Sequence, residues 1–137
     1  MSKLLIDTHV LIWLILGENT LSSKKKQLLI TAAKNEALFF SAISIWEIAM
    51  LAKAQRIILH QPISLWITEI LATPGLQLIQ LTPQIMCESV ELPGDFHKDP
   101  ADRMIVATAR IENATLVTRD ARILDYATAG YLSAIEA

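Results

Sequence analysis

Two rhythms of apolar residues alternate along this chain. Short, mostly apolar runs occupy residues 3–6, 37–40, 76–81 and 114–118, and each reads as a strand. Between them the apolar positions recur every three or four residues, the spacing of one helix face. Residues 9–16 form the first such segment, with Thr8 as the predicted N-cap and Gly17 near its end. Leu21-Ser22-Ser23 opens a second, carrying Leu28, Leu29, Ala32 and Ala33, with Lys24-Lys25-Lys26 as its solvated first turn. Ser41 or Ser44 caps a third over residues 43–54, and residues 64–72 form a fourth closed by Pro74-Gly75. Thr82-Pro83 starts a helix running to about Glu91, residues 95–100 are a polar loop, and helices follow over 100–111 and 120–127. Residues 132–135 read as a last short strand. Strands alternating with helical segments imply a largely parallel sheet covered on both faces. Ligands of such sheets bind outside the carboxyl ends of the strands.

Four acidic residues break the apolar pattern. Asp7 ends the run Leu4-Leu5-Ile6, Glu47 sits inside Ser44-Ile45-Trp46-Glu47-Ile48-Ala49, Asp102 precedes Met104-Ile105-Val106-Ala107, and Asp120 follows Leu116-Val117-Thr118-Arg119. A carboxylate in such surroundings is costly unless its charge is used. Asp7 and Asp120 both follow strands directly, and Asp102 lies in the first turn of a helix, so all three belong at the strand-end edge. Glu47 shares a helix face with Ile43, Met50, Leu51 and Ala54 and therefore points among apolar neighbours. One shared site is expected, and its natural occupant is a hard divalent cation, Mg²⁺ or Mn²⁺. Taken singly, the residues have plainer readings: Asp7 or Asp120 as a helix cap, and Glu47 in a buried ion pair with Lys53 or an arginine.

The 137 residues suffice for one domain with a real core, and a chain that is 53% hydrophobic and 19% charged is not disordered. Fourteen acidic against twelve basic residues, a net charge of −2, do not advertise a nucleic-acid binder and do not exclude one. No glycine-rich phosphate loop is present among four glycines, and one cysteine with three scattered histidines supplies no zinc pattern. Cys87 permits no intramolecular disulfide and is expected to be a small buried hydrophobe. Asp7 and His9 interrupt the N-terminal apolar stretch, residues 10–16 are too short to span a bilayer, and Gly17-Glu18-Asn19 is a poor cleavage site, so a cytoplasmic protein away from membranes is expected. Trp13, Trp46 and Trp66 are expected as core or interface aromatics, and His60 on the surface.

Metal-assisted phosphodiester hydrolysis has needs that four carboxylates meet, whether one cation binds or two. Without metal, such carboxylates repel and at least one should have a raised pKa. Here the sequence resembles a known family. Leu4-Leu5-Ile6-Asp7-Thr8-His9 is similar to the opening of PIN-domain nucleases, and Ser44-Ile45-Trp46-Glu47-Ile48-Ala49 to their second acidic motif. His97-Lys98-Asp99-Pro100-Ala101-Asp102-Arg103-Met104-Ile105-Val106-Ala107-Thr108-Ala109 resembles the third motif and Leu116-Val117-Thr118-Arg119-Asp120 the fourth. The four run in order over nearly the whole chain, nearest to the VapC-type toxin branch, in which a small ribonuclease pairs with an antitoxin protein.

The resemblance implies a three-layer α/β/α sandwich with a central, mostly parallel sheet, residues 1–137 forming a single domain. It implies Mg²⁺- or Mn²⁺-dependent cleavage of RNA, with Asp7 and Asp102 as the foremost metal ligands and Glu47 and Asp120 completing the catalytic set. Asp99 is expected to cap the helix or pair with Arg103 rather than bind metal. Thr118, His9, His97, Arg103 and Arg119 are expected near the site as supporting or phosphate-contacting groups; Lys98, Arg110 and Arg122 are further candidates for guiding a phosphate backbone. A homodimer and an antitoxin segment would cover the apolar excess. The competing readings are a different metal-dependent phosphohydrolase, which would want a second Asp soon after the first strand where Thr8-His9-Val10 stands, and a degenerate PIN-like domain that only binds protein or RNA.

Overall fold

The computed structural model describes residues 2–17 and 20–137; Glu18 and Asn19 of the segment read above against a cleavage site lie outside them. Five strands, β1 (Leu4–Ile6), β2 (Leu38–Ser41), β3 (Leu76–Ile79), β4 (Thr115–Thr118) and β5 (Ala134–Glu136), form one sheet in the order β3-β2-β1-β4-β5. Every pairing is parallel: Ile6 stands opposite Phe40 on one side and Val117 on the other. The helices are α1 (Thr8–Leu16), α2 (Ser23–Lys34), α3 (Ala42–Lys53), α4 (Ile63–Ala72), α5 (Pro83–Val90), α6 (Pro100–Glu112) and α7 (Ala121–Thr128).

The sheet is covered on both faces because its strands are apolar on both. In β1, Leu4 and Ile6 enter a core with Val10, Leu11, Leu29, Trp66 and Ile70, from α1, α2 and α4. Leu5 points the other way, into a core with Ile85, Ile105, Val106 and Ile123, from α5, α6 and α7. Helix α3 reaches both: Ile48 packs in the first core and Ile43 in the second. Burying each such side chain contributes about 1.5–3 kcal/mol, so the three short residues of β1 anchor the whole stack.

From β1 the chain steps outward to β2 and β3, then crosses back to β4 on the other side of β1. The carboxyl ends of β1 and β4 thus diverge at a topological switch point, where an open α/β sheet leaves its crevice. Boundaries shift by a residue or two from expectation: β3 ends at Ile79, and β5 begins at Ala134 rather than two residues earlier. Asp7, not Thr8, is the N-cap of α1, its side chain accepting from the Val10 amide at 3.0 Å. Ser41 caps α3, which frees the Ser44 hydroxyl for Thr8.

Candidate active site

Beyond the carboxyl ends of β1 and β4 opens a cavity of about 590 Å³. Asp7, Glu47, Asp99, Asp102 and Asp120 all line it, so the four acidic motifs far apart in sequence do meet. Asp7 is delivered by the end of β1, Asp120 by the end of β4, Asp102 by the first turn of α6, and Glu47 by the middle of α3.

Four of the five carboxylates, all but that of Asp102, are held by polar contacts of their own neighbourhood. Thr118 donates its hydroxyl to Asp7 Oδ2 and accepts from the Asp120 amide at 3.0 Å, so a single side chain sets both acids relative to β4. Asp120 caps α7 through the amides of Arg122 (2.8 Å) and Ile123 (3.2 Å). Thr8 donates to Glu47 Oε1 and lies 2.9 Å from Ser44 Oγ, which fixes Glu47 from the helix that follows Asp7. Asp99 caps α6, accepting from the Asp102 amide at 2.9 Å. Capping and site roles coincide in Asp7 and Asp120, because a helix that starts at a strand end aims its first amides at the crevice.

The charges of this cluster are poorly compensated. Burial, and behind it the charges of Asp99, Asp120, Glu47 and Asp7, push the Asp102 carboxyl up to about 7 from its ordinary 3.8. Burial likewise raises Asp7, against the opposing pull of the Thr118 and Val10 hydrogen bonds, and raises Glu47 against that of Thr8. Among the described residues no lysine or arginine reaches ion-pair distance of the five, and the ion pair envisaged for Glu47 does not form. The basic side chain nearest Asp102 is His97, whose Nε2 lies 3.1 Å from Asp102 Oδ2 without hydrogen-bond alignment.

Arginines stand at the cavity wall. Arg56, Arg119 and Arg122 line it with His9 and Trp13. Arg119 is pinned there: its guanidinium lies 4.6 Å over the Trp13 ring and donates to the carbonyls of Ala137 (3.1 Å) and Thr20 (3.0 Å). Trp13 therefore belongs to the cavity as well as to the core edge, while Trp66 is buried and Trp46 is exposed. Arg56 escaped the sequence reading. Gln55 takes φ 57°, and the amides of Gln55 and Arg56 turn back to the carbonyls of Ala52 and Leu51, a helix ending that returns Arg56 toward the cavity. Only the position of a residue with αL tolerance marks that turn, and glutamine gives no such signal. The Thr8 and Ser44 hydroxyls were likewise read only as capping groups.

Three residues lie differently from expectation. Arg103 does not line the acidic cavity and does not pair with the Asp99 side chain. Its guanidinium donates to the carbonyls of Ser89 (2.7 Å), Val90 (3.3 Å), Phe96 (2.9 Å) and His97 (3.1 Å), tying the end of α5 to the loop that leads into α6. Five fixed donors match several carbonyls converging at a helix end better than they match solvent. Arg110 also points away, donating to Glu88 at 2.8 Å. Cys87 is exposed rather than buried, because α5 covers the sheet through Ile85 and Ser89 and leaves Cys87 on its outer side. His60 is on the surface, as expected.

With that geometry in place the chain can be set beside known proteins. The PIN domain family model matches residues 4–129. The chain belongs to the PIN-domain family. A curated relative of this PIN domain, Ribonuclease VapC22 of Mycobacterium tuberculosis (strain ATCC 25618 / H37Rv), is 35% identical over 123 residues, covering 90% of this chain and 91% of the relative. Solved structures share the fold at lower identity. The crystal structure of VapBC2 from Rickettsia felis bound to a promoter DNA fragment matches at TM-score 0.68 and 19% identity over 97% of this chain and 98% of that one. DNA-bound VapBC from Salmonella typhimurium matches at TM-score 0.70 and 15% identity over 99% and 98%. A toxin–antitoxin complex from Klebsiella pneumoniae matches at TM-score 0.64 and 24% identity over 97% and 96%. The three-layer PIN sandwich expected from the motifs is the fold observed. No helix among the described residues of this PIN domain is long and apolar enough to cross a membrane.

Proposed function

We propose that this PIN domain is a Mg²⁺- or Mn²⁺-dependent endoribonuclease and the toxin of a toxin–antitoxin pair. The observation that carries the reading is the set of five carboxylates lining one cavity at the β1/β4 switch point, without arginine or lysine ion-pair partners among the described residues.

The donor set fits a hard divalent cation by its chemistry. It offers only carboxylate oxygens where charges crowd, and burial, followed by the charges of the neighbouring acids, raises the Asp102 carboxyl to about 7. As the side chains stand, no three acidic, histidine or cysteine groups among the described residues are close enough together to enclose an ion. Asp7 and Asp102 would hold the cation, with Glu47 and Asp120 as direct or water-mediated partners. When bound, it supplies an activated water and offsets charge developing on a phosphate. The protein's own part is to position. Thr118 holds Asp7 and Asp120 together, and Thr8 aims Glu47. Asp99 fixes the first turn of α6 beneath Asp102. Arg56, Arg119 and Arg122 receive the phosphate backbone, Arg119 from a fixed pose.

A protein partner is part of the proposal. Relatives of this fold were solved as toxin–antitoxin assemblies, and the α3–α4 side of this chain exposes apolar surface: Trp46 (52% exposed), Met50 (48%) and Ile58 (76%) beside a cavity of about 800 Å³ lined by Ala49, Ala52 and Ile63. An antitoxin helix or a second copy of the chain would cover it; the mass of the purified chain alone, measured by light scattering, distinguishes the two, since a second copy doubles it and an antitoxin-covered face leaves it monomeric.

Cleavage of a mixed RNA by the purified chain with Mg²⁺ or Mn²⁺, and none with EDTA, is the expected result. Asp7→Asn serves as the control. Equal cleavage by that variant would mean a contaminating nuclease and end the proposal, as would metal-independent cleavage.

A further inference from the structure

Beside the acidic cavity lies a second hollow of about 430 Å³ that the reaction above does not use. Resting on the ribonuclease reading, we infer that it is a nucleobase subsite that takes a guanine of the RNA strand next to the scissile linkage.

The first ground is place. Arg122 lines both the acidic cavity and this hollow. His97 forms the rest of the partition: its Nδ1 lies 3.2 Å from the Arg122 guanidinium and its Nε2 3.1 Å from Asp102 Oδ2. The hollow is thus one side chain away from the carboxylates. A strand whose phosphate sits over Asp102 has its neighbouring nucleoside within reach of that partition.

The second ground is chemistry. Much of the wall is aromatic: Phe96, Tyr126 and Tyr131 line it. Tyr126 and Tyr131 stack at 4.9 Å and 26°, and Phe96 packs at 4.9 Å from Tyr126. Tyr126 is buried with its hydroxyl donating to the Pro93 carbonyl, whereas Tyr131 remains 37% exposed. Tyr131 is also held still. It follows Gly130 at φ 98° in a helix ending that returns its amide to the Tyr126 carbonyl, and a Cβ on Gly94 would meet its ring at 2.5 Å. A ring fixed in advance loses little freedom when a base stacks on it. Single-stranded RNA is read in just this way, by stacking bases on aromatic side chains and arginine planes.

The third ground is sign. Asp95 and Asp125 also line the hollow and join no ion pair among the described residues. A pair of carboxylates disfavours a phosphate and offers hydrogen-bond acceptors, so it suits the donor edge of a base. Guanine presents two adjacent donors, N1–H and N2–H, to a carboxylate, while uracil presents one. Arg122, on the partition, is shared by the hollow and the acidic cavity.

The test uses the full chain and does not depend on cleavage. Guanosine, adenosine, cytidine and uridine 5′-monophosphates are titrated in turn while the ring resonances of Phe96 and Tyr131 are followed by NMR. GMP should move both rings and bind at least roughly fivefold tighter than UMP, and Tyr131→Ala should weaken GMP about tenfold while Tyr131→Phe stays within about twofold. Asp125→Asn should narrow the gap between GMP and UMP. In a random-sequence RNA, wild-type cleavage should enrich guanine at one position beside the break, and Tyr131→Ala should erase that enrichment. Four nucleotides binding alike, shifts confined to Thr8 and Thr118 in the acidic cavity, or enrichment that survives Tyr131→Ala would each overturn the subsite. GMP binding at these rings with no cleavage of any RNA would sink the ribonuclease reading instead, and cleavage without guanine discrimination the subsite alone.

Discussion

Helix α6 treats its two ends in opposite ways. At its first turn Asp99 and Asp102 join Asp7, Glu47 and Asp120 around one cavity, with only His97 beside Asp102. In its last turn Arg110 is fully engaged, donating to Glu88 at 2.8 Å and to the Tyr131 carbonyl. Between them Arg103 is given over to four carbonyls. Helix α6 itself has two arginines within a few turns of its carboxylates and turns both elsewhere. Like charges kept close and unpaired destabilise a fold, so their persistence here points to compensation from outside the chain.

Removing one of those charges should have the largest effect. Asp102→Asn should lower RNA cleavage at least about a hundredfold, the scale on which metal-site partners act. The same substitution should raise the melting temperature of the metal-free protein, because it deletes a buried charge crowded by its neighbours. The pH dependence follows with a definite sign. A carboxyl whose folded-state pKa is raised binds its proton more tightly when folded, so its contribution is fully present below the unfolded value and is lost as pH rises through the folded one. For Asp102 that window runs from 3.8 to about 7, and Asp7 and Glu47 shift in the same direction. Metal-free protein should therefore lose stability between those limits, and Asp102→Asn should flatten the slope. Added Mg²⁺ should stabilise more at pH 8 than at pH 5, measured by thermal melts. Equal stabilisation at both would remove the case for carboxylate-bound metal.

How much of this was legible in the sequence follows from which interactions are local. β1, β2 and β4 are nearly continuous apolar runs, and their burial on both faces is a direct consequence. Asp7 and Asp120 could be assigned to the crevice because each directly follows such a strand. Glu47 could be singled out because a mid-helix carboxylate beside Ile43 and Ile48 needs a reason to be there. What the sequence did not carry is the direction of long side chains. Arg103 and Arg119 both adjoin acidic motifs, yet one is consumed by carbonyls of α5 and the other lies over Trp13. Those targets come from segments 14 and 106 positions away along the chain, set only once the sheet has formed. The exposure of Cys87 depends in the same way on which face α5 lays on the sheet.

Arg103 tests whether an inward-turned cation matters for the site it avoids. Arg103→Ala leaves several carbonyls without their charged donor and should cost about 2–3 kcal/mol, read from denaturant unfolding. Because two of those carbonyls belong to Phe96 and His97, cleavage by the folded fraction should fall as well. Arg103→Lys should recover less than half of the stability, since a point-like ammonium cannot span the four acceptors. Full recovery by lysine would mean that charge near α5, not the fork, is what holds the loop.

The smallest effect belongs to the paired end of α6. The Arg110 and Glu88 side chains are 28% and 24% exposed, so solvent screens much of their attraction. Glu88→Gln should cost only about 0.5–1 kcal/mol and leave RNA cleavage unchanged. Arg110→Gln should cost somewhat more, because Arg110 also donates to the Tyr131 carbonyl, which Glu88 does not touch. A double-mutant cycle isolates the pair itself, and a coupling well below 1 kcal/mol is expected. The contrast along α6 rests on this asymmetry. The paired charges sit where pairing gives little, while the unpaired ones sit where an arginine would have gained most from them. A coupling of several kcal/mol between Glu88 and Arg110 would reverse that, and the empty positions around Asp102 would then need a cause other than a cation from solution.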